Sequence, residues 1–189
     1  MSTNVKIAFL CGSLRDGSIN RQLESALMMR AEEHGATAER VDLGEYEMPL
    51  YHGDLELPET TKALVKHLAT FDGVVVVSPE YNGSLPPLLK NVIDWTSTFD
   101  RAHFFGPVWG IASCTPGPMS GIMCMRQIQY ILTRLGAEVI PVQVGCGNAG
   151  SAFSEHGALV AQPSSDLADN LFKAIIRRTR EKAALADSQ

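Results

Sequence analysis

The 189-residue sequence lacks the features that mark several special classes of protein. Its first apolar run, residues 7–11, is too short for a secretory signal or a membrane span, so a cytoplasmic protein without membrane insertion is expected. The formal net charge is −5, so positive charge is not in excess and nucleic acid is not an expected partner. Only four cysteines occur, without a CxxC pair, which favours free thiols over disulfides.

Metal-ligand spacing is also missing. The five histidines stand singly, and none is spaced with a cysteine or carboxylate as a metal site requires, so no metal is predicted. Hydrophobic residues make up 45% of the chain and charged residues 20%, which is typical of a globular protein. No repeat, low-complexity segment or linker interrupts it, so residues 1–189 are expected to form a single domain.

Apolar periodicity alternates between strand and helix along the chain. Near-continuous apolar runs predict strands buried on both faces, and the four consecutive valines from Val74 are the clearest of them. The predicted strands are residues 5–11, 38–43, 73–77, 108–113 and 138–144; the predicted helices are 19–34, 60–70, 86–96, 119–135 and 165–184. This alternation predicts an α/β fold with a doubly wound, five-stranded parallel sheet in the flavodoxin-like order 2-1-3-4-5 and helices on both faces. Ligands of such sheets bind at the carboxyl ends of the strands.

The loop after the first strand, residues 12–22, combines small residues with hydroxyl, amide and guanidinium groups. Ser13, Ser18 and Asn20 can donate hydrogen bonds beside a helix N-terminus, and Arg15 adds a cation that pairs well with phosphate oxygens. The alternative is that Ser18 or Asn20 only caps the helix. Capping alone does not need Arg15 or Ser13, so the loop favours phosphate binding. It is not a Walker loop, because no GK[ST] is present.

The loop after the third strand begins at Ser78 and contains strong turn formers. Pro79, Asn82 and Gly83 predict a tight turn that could present backbone groups to a flat heterocycle, with Tyr81 against the ring. Ser84 can cap the following helix. Glu80 is the one charge in the turn itself, and solvent exposure or a salt bridge remains an equally good interpretation of it.

The strings GSLRxxSxNR and PEYNxSxPxxLKNxIDW together resemble the NAD(P)H-dependent FMN reductase family, which includes quinone reductases, chromate reductases and some azoreductases. The resemblance covers both loops with their flanking elements. It implies a flavodoxin-like fold, bound FMN, NADPH or NADH as co-substrate, and a homodimer or homotetramer. Carried over by position, the implied phosphate ligands are Ser13, Arg15, Ser18 and Asn20, and the implied frame of the isoalloxazine ring is Pro79, Glu80, Tyr81, Asn82 and Gly83, with Ser113 approaching from the fourth strand.

The third loop departs from the family pattern. Thr115, Pro116, Gly117 and Pro118 replace the Gly-Gly-like turn that is common there, so contacts beyond Ser113 do not carry over. Cys114 should lie near the cofactor, either as an inert buried thiol, which the lack of a nearby partner favours, or as a redox-active one. The GxGxxG string at residues 145–150 is not followed by helical periodicity, so it does not predict a dinucleotide site.

The expected activity is hydride transfer from NAD(P)H to FMN, followed by electron transfer to a quinone or a similar small acceptor such as chromate, an azo compound or free flavin. The kinetics would be ping-pong, and no catalytic side chain is assigned because the flavin carries the chemistry. Two alternatives remain: a flavin reductase that supplies reduced FMN to a monooxygenase, and a non-enzymatic carrier of the flavodoxin type. The sequence does not choose between NADH and NADPH.

Overall fold

Six strands and six α-helices make up most of the described part of the chain. The computed structural model describes residues 4–186. The strands are β1 (Lys6–Cys11), β2 (Thr37–Arg40), β3 (Gly73–Val77), β4 (Val108–Cys114), β5 (Glu138–Val139) and β6 (Val144–Cys146). The helices are α1 (Ile19–Glu33), α2 (Glu59–Leu68), α3 (Pro87–Ser97), α4 (Ala102–Phe105), α5 (Ile122–Arg134) and α6 (Ser164–Ala186), with short 3-10 turns at Leu43–Glu45 and Ala149–Ser151.

The strands form one parallel sheet in the order β2-β1-β3-β4-β5, and β6 pairs with the same edge of β4. The predicted order 2-1-3-4-5 is therefore confirmed. Consecutive valines of β3 lie between β1 and β4, with Val75 paired to Phe9 on one side and Gly110 on the other. All five β3 residues are buried, as expected for the centre of a sheet that is covered on both faces.

Alternate side chains of each strand enter two separate hydrophobic clusters. Ile7 and Phe9 point into the cluster that α1 and α6 cover, where Phe9 packs on Phe172 with ring centroids 6.1 Å apart. Ala8 and Leu10 point to the opposite face, which α2, α3 and α5 cover. The two-residue period of a strand therefore places helices on both sides of the sheet.

Most predicted boundaries lie within two residues of the observed ones, and four larger differences remain. The predicted fifth strand is interrupted by residues 140–143, because Pro141 has no N–H for the ladder, and pairing with β4 resumes only at Val144. The helix predicted from Met119 begins at Ile122, since Ser120 and Gly121 have positive φ angles that end any helical path. The second strand is shorter than predicted, and α4 was not predicted.

Within residues 4–186 no helix is long and apolar enough to cross a membrane.

Candidate functional site

Three loops meet at the carboxyl edge of the sheet. Backbone hydrogen bonds extend the ladder one step past the strands: Gly12 N–H donates to Val77, and Ser78 N–H donates to Ala112, both at 2.9 Å. Thr115 N–H donates to Cys146 at the same distance. The loops after β1, β3 and β4 are therefore held side by side, which is where the sequence predicted a ligand.

The loop after β1 ends at the N-terminus of α1, where Ser18 is the cap and its hydroxyl accepts from Asn20 N–H at 3.2 Å. Ser18 therefore caps the helix. Capping does not use all the donors: in the described part of the chain, the N–H groups of Leu14, Asp16, Gly17 and Ile19 have no hydrogen-bond partner. The Arg15 side chain is exposed and has no ion-pair partner among the same residues. Together these groups form a cradle of positive potential.

The Asn20 side chain does not point into the cradle as a residue that binds phosphate would. Its side chain is 2% exposed, its Nδ2 donates to the carbonyl of Cys114 at 2.9 Å, and its Oδ1 accepts from the N–H of Cys114 at 2.8 Å. Both functions of the amide are therefore used to fasten the first turn of α1 to the end of β4. The side chain joins the first loop to the third.

Arg21 supports the same loop from outside. Its Nε donates to the carbonyl of Ser13 at 3.1 Å, and its terminal nitrogen pairs with Asp42 at 2.9 Å. The N–H of Gly44 and the guanidinium of Arg21 together lower the pKa of Asp42 below its usual value. Ser13 itself is buried, and its hydroxyl accepts a long hydrogen bond from Arg15 N–H at 3.4 Å. The sequence analysis assigned no role to Arg21 or Asp42, although Arg21 ends the motif GSLRxxSxNR and Asp42 lies in the predicted second strand.

The loop after β3 contains a two-residue turn. Tyr81 and Ser84 exchange both backbone hydrogen bonds, at 2.9 and 3.0 Å, and the residues between them have φ angles of +52° at Asn82 and +74° at Gly83. Asparagine and glycine are the residues that this turn requires. The N–H groups of Glu80, Asn82 and Gly83 have no partner within the described residues, and Tyr81 is 46% exposed. The turn therefore offers backbone donors and an aromatic ring, while Pro79 is buried beneath it.

Glu80 is half-buried, and within residues 4–186 it forms no salt bridge. Its Oε2 accepts from the backbone N–H of Met123 at 3.0 Å and of Cys124 at 3.1 Å, which places the carboxylate at the N-terminus of α5. Ser84 does not cap α3, which begins after Pro86 without a side-chain cap. Its hydroxyl instead donates to Gln127 on α5 at 2.7 Å.

Ser113 lies at the end of β4 and is completely buried. Its hydroxyl is 3.6 Å from Cys124 Sγ, and a Cβ on Gly121 would lie 1.9 Å from it. The start of α5 therefore rests directly on Ser113, and the residues before it, 116–119, are exposed as the third wall of the site. The positive φ of Gly121, +71°, adds a second reason for glycine at this position.

Cys114 has a partner that its sequence context did not reveal. Cys146 lies directly opposite it in the β4–β6 register, 32 residues later in the chain, and both thiols are buried. The hydrogen bond with Cys146, together with burial, raises the pKa of the Cys114 thiol. The GxGxxG string that contains Cys146 ends in a 3-10 turn, Ala149–Ser151, and not in an α-helix.

FMN, the cofactor that the family resemblance implies, fits this arrangement of donors. A phosphate matches the cradle of unpaired N–H groups and Arg15, while a flat ring edge matches the unpaired N–H groups of the 80–83 turn. Of the ten residues expected to hold it, eight lie in these two loops, and three of the eight are themselves buried: Ser13, Ser18 and Pro79. The side chains of Asn20 and Ser113 are buried beneath the loops and bond to other parts of the protein.

Comparison with known proteins gives a family and a set of relatives. Residues 5–151 match the family model described as NADPH-dependent FMN reductase. The chain is 35% identical over 147 residues to a quinone reductase of Escherichia coli (strain K12), covering 74% of this chain and 76% of that protein. It is 32% identical over 164 residues to a quinone reductase of Pseudomonas putida (strain KT2440), covering 84% and 87%.

The fold is shared with a solved flavoenzyme. FerB, an NAD(P)H:(acceptor) oxidoreductase from Paracoccus denitrificans, superposes with a TM-score of 0.77 at 23% identity, covering 94% of this chain and 98% of that one. At this identity the similarity establishes the fold alone.

Proposed function

The chain belongs to the NADPH-dependent FMN reductase family and is an NAD(P)H-dependent FMN oxidoreductase, and we propose that quinones are the acceptors to which it passes electrons. Two relatives that cover most of the chain are named quinone reductases, which supports this acceptor class. The structural observation that supports bound FMN is the cradle at the N-terminus of α1, with its unpaired N–H groups and with Arg15, which has no ion-pair partner in the described chain.

Each loop has a separate task in this proposal. Ser13, Arg15, Ser18 and the N–H groups around them hold the phosphate, and Asn20 fixes the position of that loop against β4. The turn from Pro79 to Gly83 frames the ring and aims its N–H groups at the edge where negative charge develops. Ser113 supports the third wall through its contact with α5 and does not itself touch the ligand.

Bound FMN supplies a carrier that accepts hydride from NAD(P)H and later passes the electrons to the acceptor. The loops after β1 and β3 would hold this group, and the exposed residues 116–119 and Tyr81 would line the space that donor and acceptor enter. Because donor and acceptor would use the same space, they would bind in turn, which predicts ping-pong kinetics.

An absorbance experiment tests this function. The purified protein is reconstituted with FMN and mixed with NADPH or NADH under anaerobic conditions, and a benzoquinone is then added. We expect the flavin band near about 450 nm to bleach with the nucleotide and to return with the quinone. Bleaching that the quinone does not reverse would contradict the proposed acceptor class, and bound FMN that no nucleotide bleaches would indicate an electron carrier.

The phosphate cradle has its own test, a comparison of FMN with riboflavin, which lacks the phosphate. Wild-type protein should bind FMN more tightly, and Arg15→Ala should weaken FMN binding by about tenfold while changing riboflavin binding little, because one charge-assisted contact is lost. Arg101→Ala, which removes an exposed arginine from the turn before α4, is the matched control. Equal losses for both ligands would place Arg15 away from the phosphate.

The oligomeric state is a further part of the proposal. The exposed face of α5 carries Met123, Arg126, Tyr130 and Arg134, and the Tyr130 side chain is 70% exposed. Beside it lies a groove of about 630 Å³ whose walls include Leu85, Pro87 and Ile131. We assign this face to contact with a second copy of the chain, as a homodimer or within a homotetramer. Light scattering should show Tyr130→Asp to be smaller than wild type; an unchanged mass would refute this interface.

A further inference from the structure

The N-terminus of α5 is capped by a carboxylate from a different loop. Gly121 occupies the cap position and has no side chain, and the first turn of the helix contains no acidic residue of its own. The unpaired N–H groups and positive dipole of a helix start nevertheless favour an anion. Glu80 supplies it from 43 residues earlier in the chain, through the N–H groups of Met123 and Cys124.

A second side chain ties the same two segments one helical turn further along. Gln127 accepts from the hydroxyl of Ser84 at 2.7 Å and donates to the carbonyl of Gly83 at 3.2 Å. The turn at 80–84 is thus fastened to α5 at both of its ends. Two of these four hydrogen bonds involve an ionised group, which makes them the stronger pair.

α5 is itself a fixed support. Its first residues rest on the buried Ser113, and Cys124 packs between Ser113 and the carbonyl of Gly121, 3.1 Å from Cys124 Sγ. The position of the helix start is therefore set by the end of β4, and Glu80 transmits that position to the turn after β3. Between the ties, the N–H groups of Asn82 and Gly83 point away from any partner in the described chain.

We propose that Glu80 is a positioning residue for FMN, acting through the N-terminus of α5 and not by contact with the ligand. The carboxylate oxygen that accepts from Met123 and Cys124 is already occupied, and it holds the turn whose free N–H groups face the ring. This rests on the proposed function, because it requires that the 80–83 turn binds FMN.

The test combines FMN affinity with a measurement that needs no ligand. Dissociation constants come from quenching of FMN fluorescence, and hydrogen exchange of the Met123 and Cys124 amides is followed in the protein without FMN. Glu80→Ala should weaken FMN binding by about tenfold and accelerate exchange at both amides, since two charge-assisted hydrogen bonds are lost. Glu80→Gln, which keeps an acceptor oxygen, should lie between Glu80→Ala and wild type in both measurements.

A matched control and a rescue variant separate positioning from stability. Glu32→Ala removes an exposed carboxylate at the far end of α1 and should change neither measurement. Glu80→Ala combined with Met123→Asp places a new acidic residue in the first turn of α5, which should recover the melting temperature through the helix dipole. It should not recover FMN affinity, because the new carboxylate is not joined to the turn.

Three results would overturn positioning while leaving the proposed function intact. They are unchanged FMN affinity in Glu80→Ala, weakened affinity with unchanged amide exchange, which would make Glu80 a direct ligand, and recovery of affinity in the rescue variant. Failure of the wild-type protein to bind FMN would instead overturn the proposed function, and the positioning role with it.

Discussion

The buried amide of Asn20 gives the sharpest prediction about what holds the site together. Asn20→Ala removes both hydrogen bonds to the backbone of Cys114 and leaves a buried N–H and a buried carbonyl without partners. An unsatisfied buried group costs about 1–3 kcal/mol. Allowing for overlap between two adjacent groups, we expect the free energy of unfolding to fall by about 2–4 kcal/mol. For a chain of this length that corresponds to a decrease of roughly 4–16 °C in melting temperature.

The assay is urea unfolding of the protein without FMN, followed by circular dichroism. Asn4→Ala is the matched control, because Asn4 also donates a side-chain hydrogen bond, at 2.6 Å to Thr37, but at an exposed position. It should cost no more than about 0.5 kcal/mol. Equal effects of the two substitutions, or a loss below about 1 kcal/mol for Asn20→Ala, would refute the argument that burial makes this amide important.

A second substitution, Asn20→Asp, tests the burial of this site through the direction in which stability changes with pH. The substitution keeps the acceptor for Cys114 N–H but sets a carboxylate against the carbonyl of Cys114 in a buried site. Burial raises the pKa of such a carboxyl, so the folded state binds the proton more tightly than the unfolded state does. The variant should therefore be more stable, relative to wild type, near pH 4 than at pH 7. The opposite trend would mean that the charge is solvated and the site open.

Three further predictions concern other buried groups. Burial lowers the pKa of His103 from 6.5 to about 4, so the folded protein disfavours the charged ring, and its stability should be complete above about pH 6.5 and fall by about 3 kcal/mol towards pH 4. In His103→Gln, the free energy of unfolding, measured with urea at each pH, should depend less on pH between about 6.5 and 4. An unchanged pH dependence would contradict this prediction. Gly121→Ala should lower the free energy of unfolding by more than about 2 kcal/mol, because strain at positive φ is joined by the clash with Ser113; Gly157→Ala, at φ +81° in open space, should cost only about 1 kcal/mol. All four cysteines are buried, and burial raises the pKa of Cys11 to about 11, so an aromatic disulfide reagent at pH 8 should label four thiols only after denaturation; fast labelling of the native protein would show that the site opens.

Local patterns predicted the framework of this protein well. The valines of β3 could only be a central strand, and Asn82 with Gly83 required a turn of the kind observed, because both signals depend on neighbouring residues. Pro141 is a signal for a break in the fifth strand, but apolar residues continue on both sides of it and predict one uninterrupted strand.

Long-range partnerships were not predictable from those patterns. Glu80 caps a helix 43 residues away, Asn20 bonds to Cys114 94 residues away, and Cys146 lies opposite Cys114 only because β4 and β6 pair. Each of these contacts depends on which strand ends become neighbours in the sheet. The spacing of apolar residues along the chain does not contain that information. The motif resemblance located the loops, but it did not distinguish residues that line them from residues that brace them.

Because Glu80 caps α5, the two ends of a ligand meet different electrostatic environments at the carboxyl edge of the sheet. Three helices, α1, α3 and α5, start after the three loops. The first residues of α3, Pro86 and Pro87, have no N–H, whereas an anion would be attracted to the start of α1 or of α5 if both were free. The start of α5 is already neutralised from within the protein, whereas the start of α1 keeps its unpaired donors. A ligand with one negatively charged end and one flat end is therefore attracted by its charged end to the start of α1 and not to the start of α5. We expect it to bind in one orientation and not the reverse, and so to present the same ring face to every molecule that approaches it.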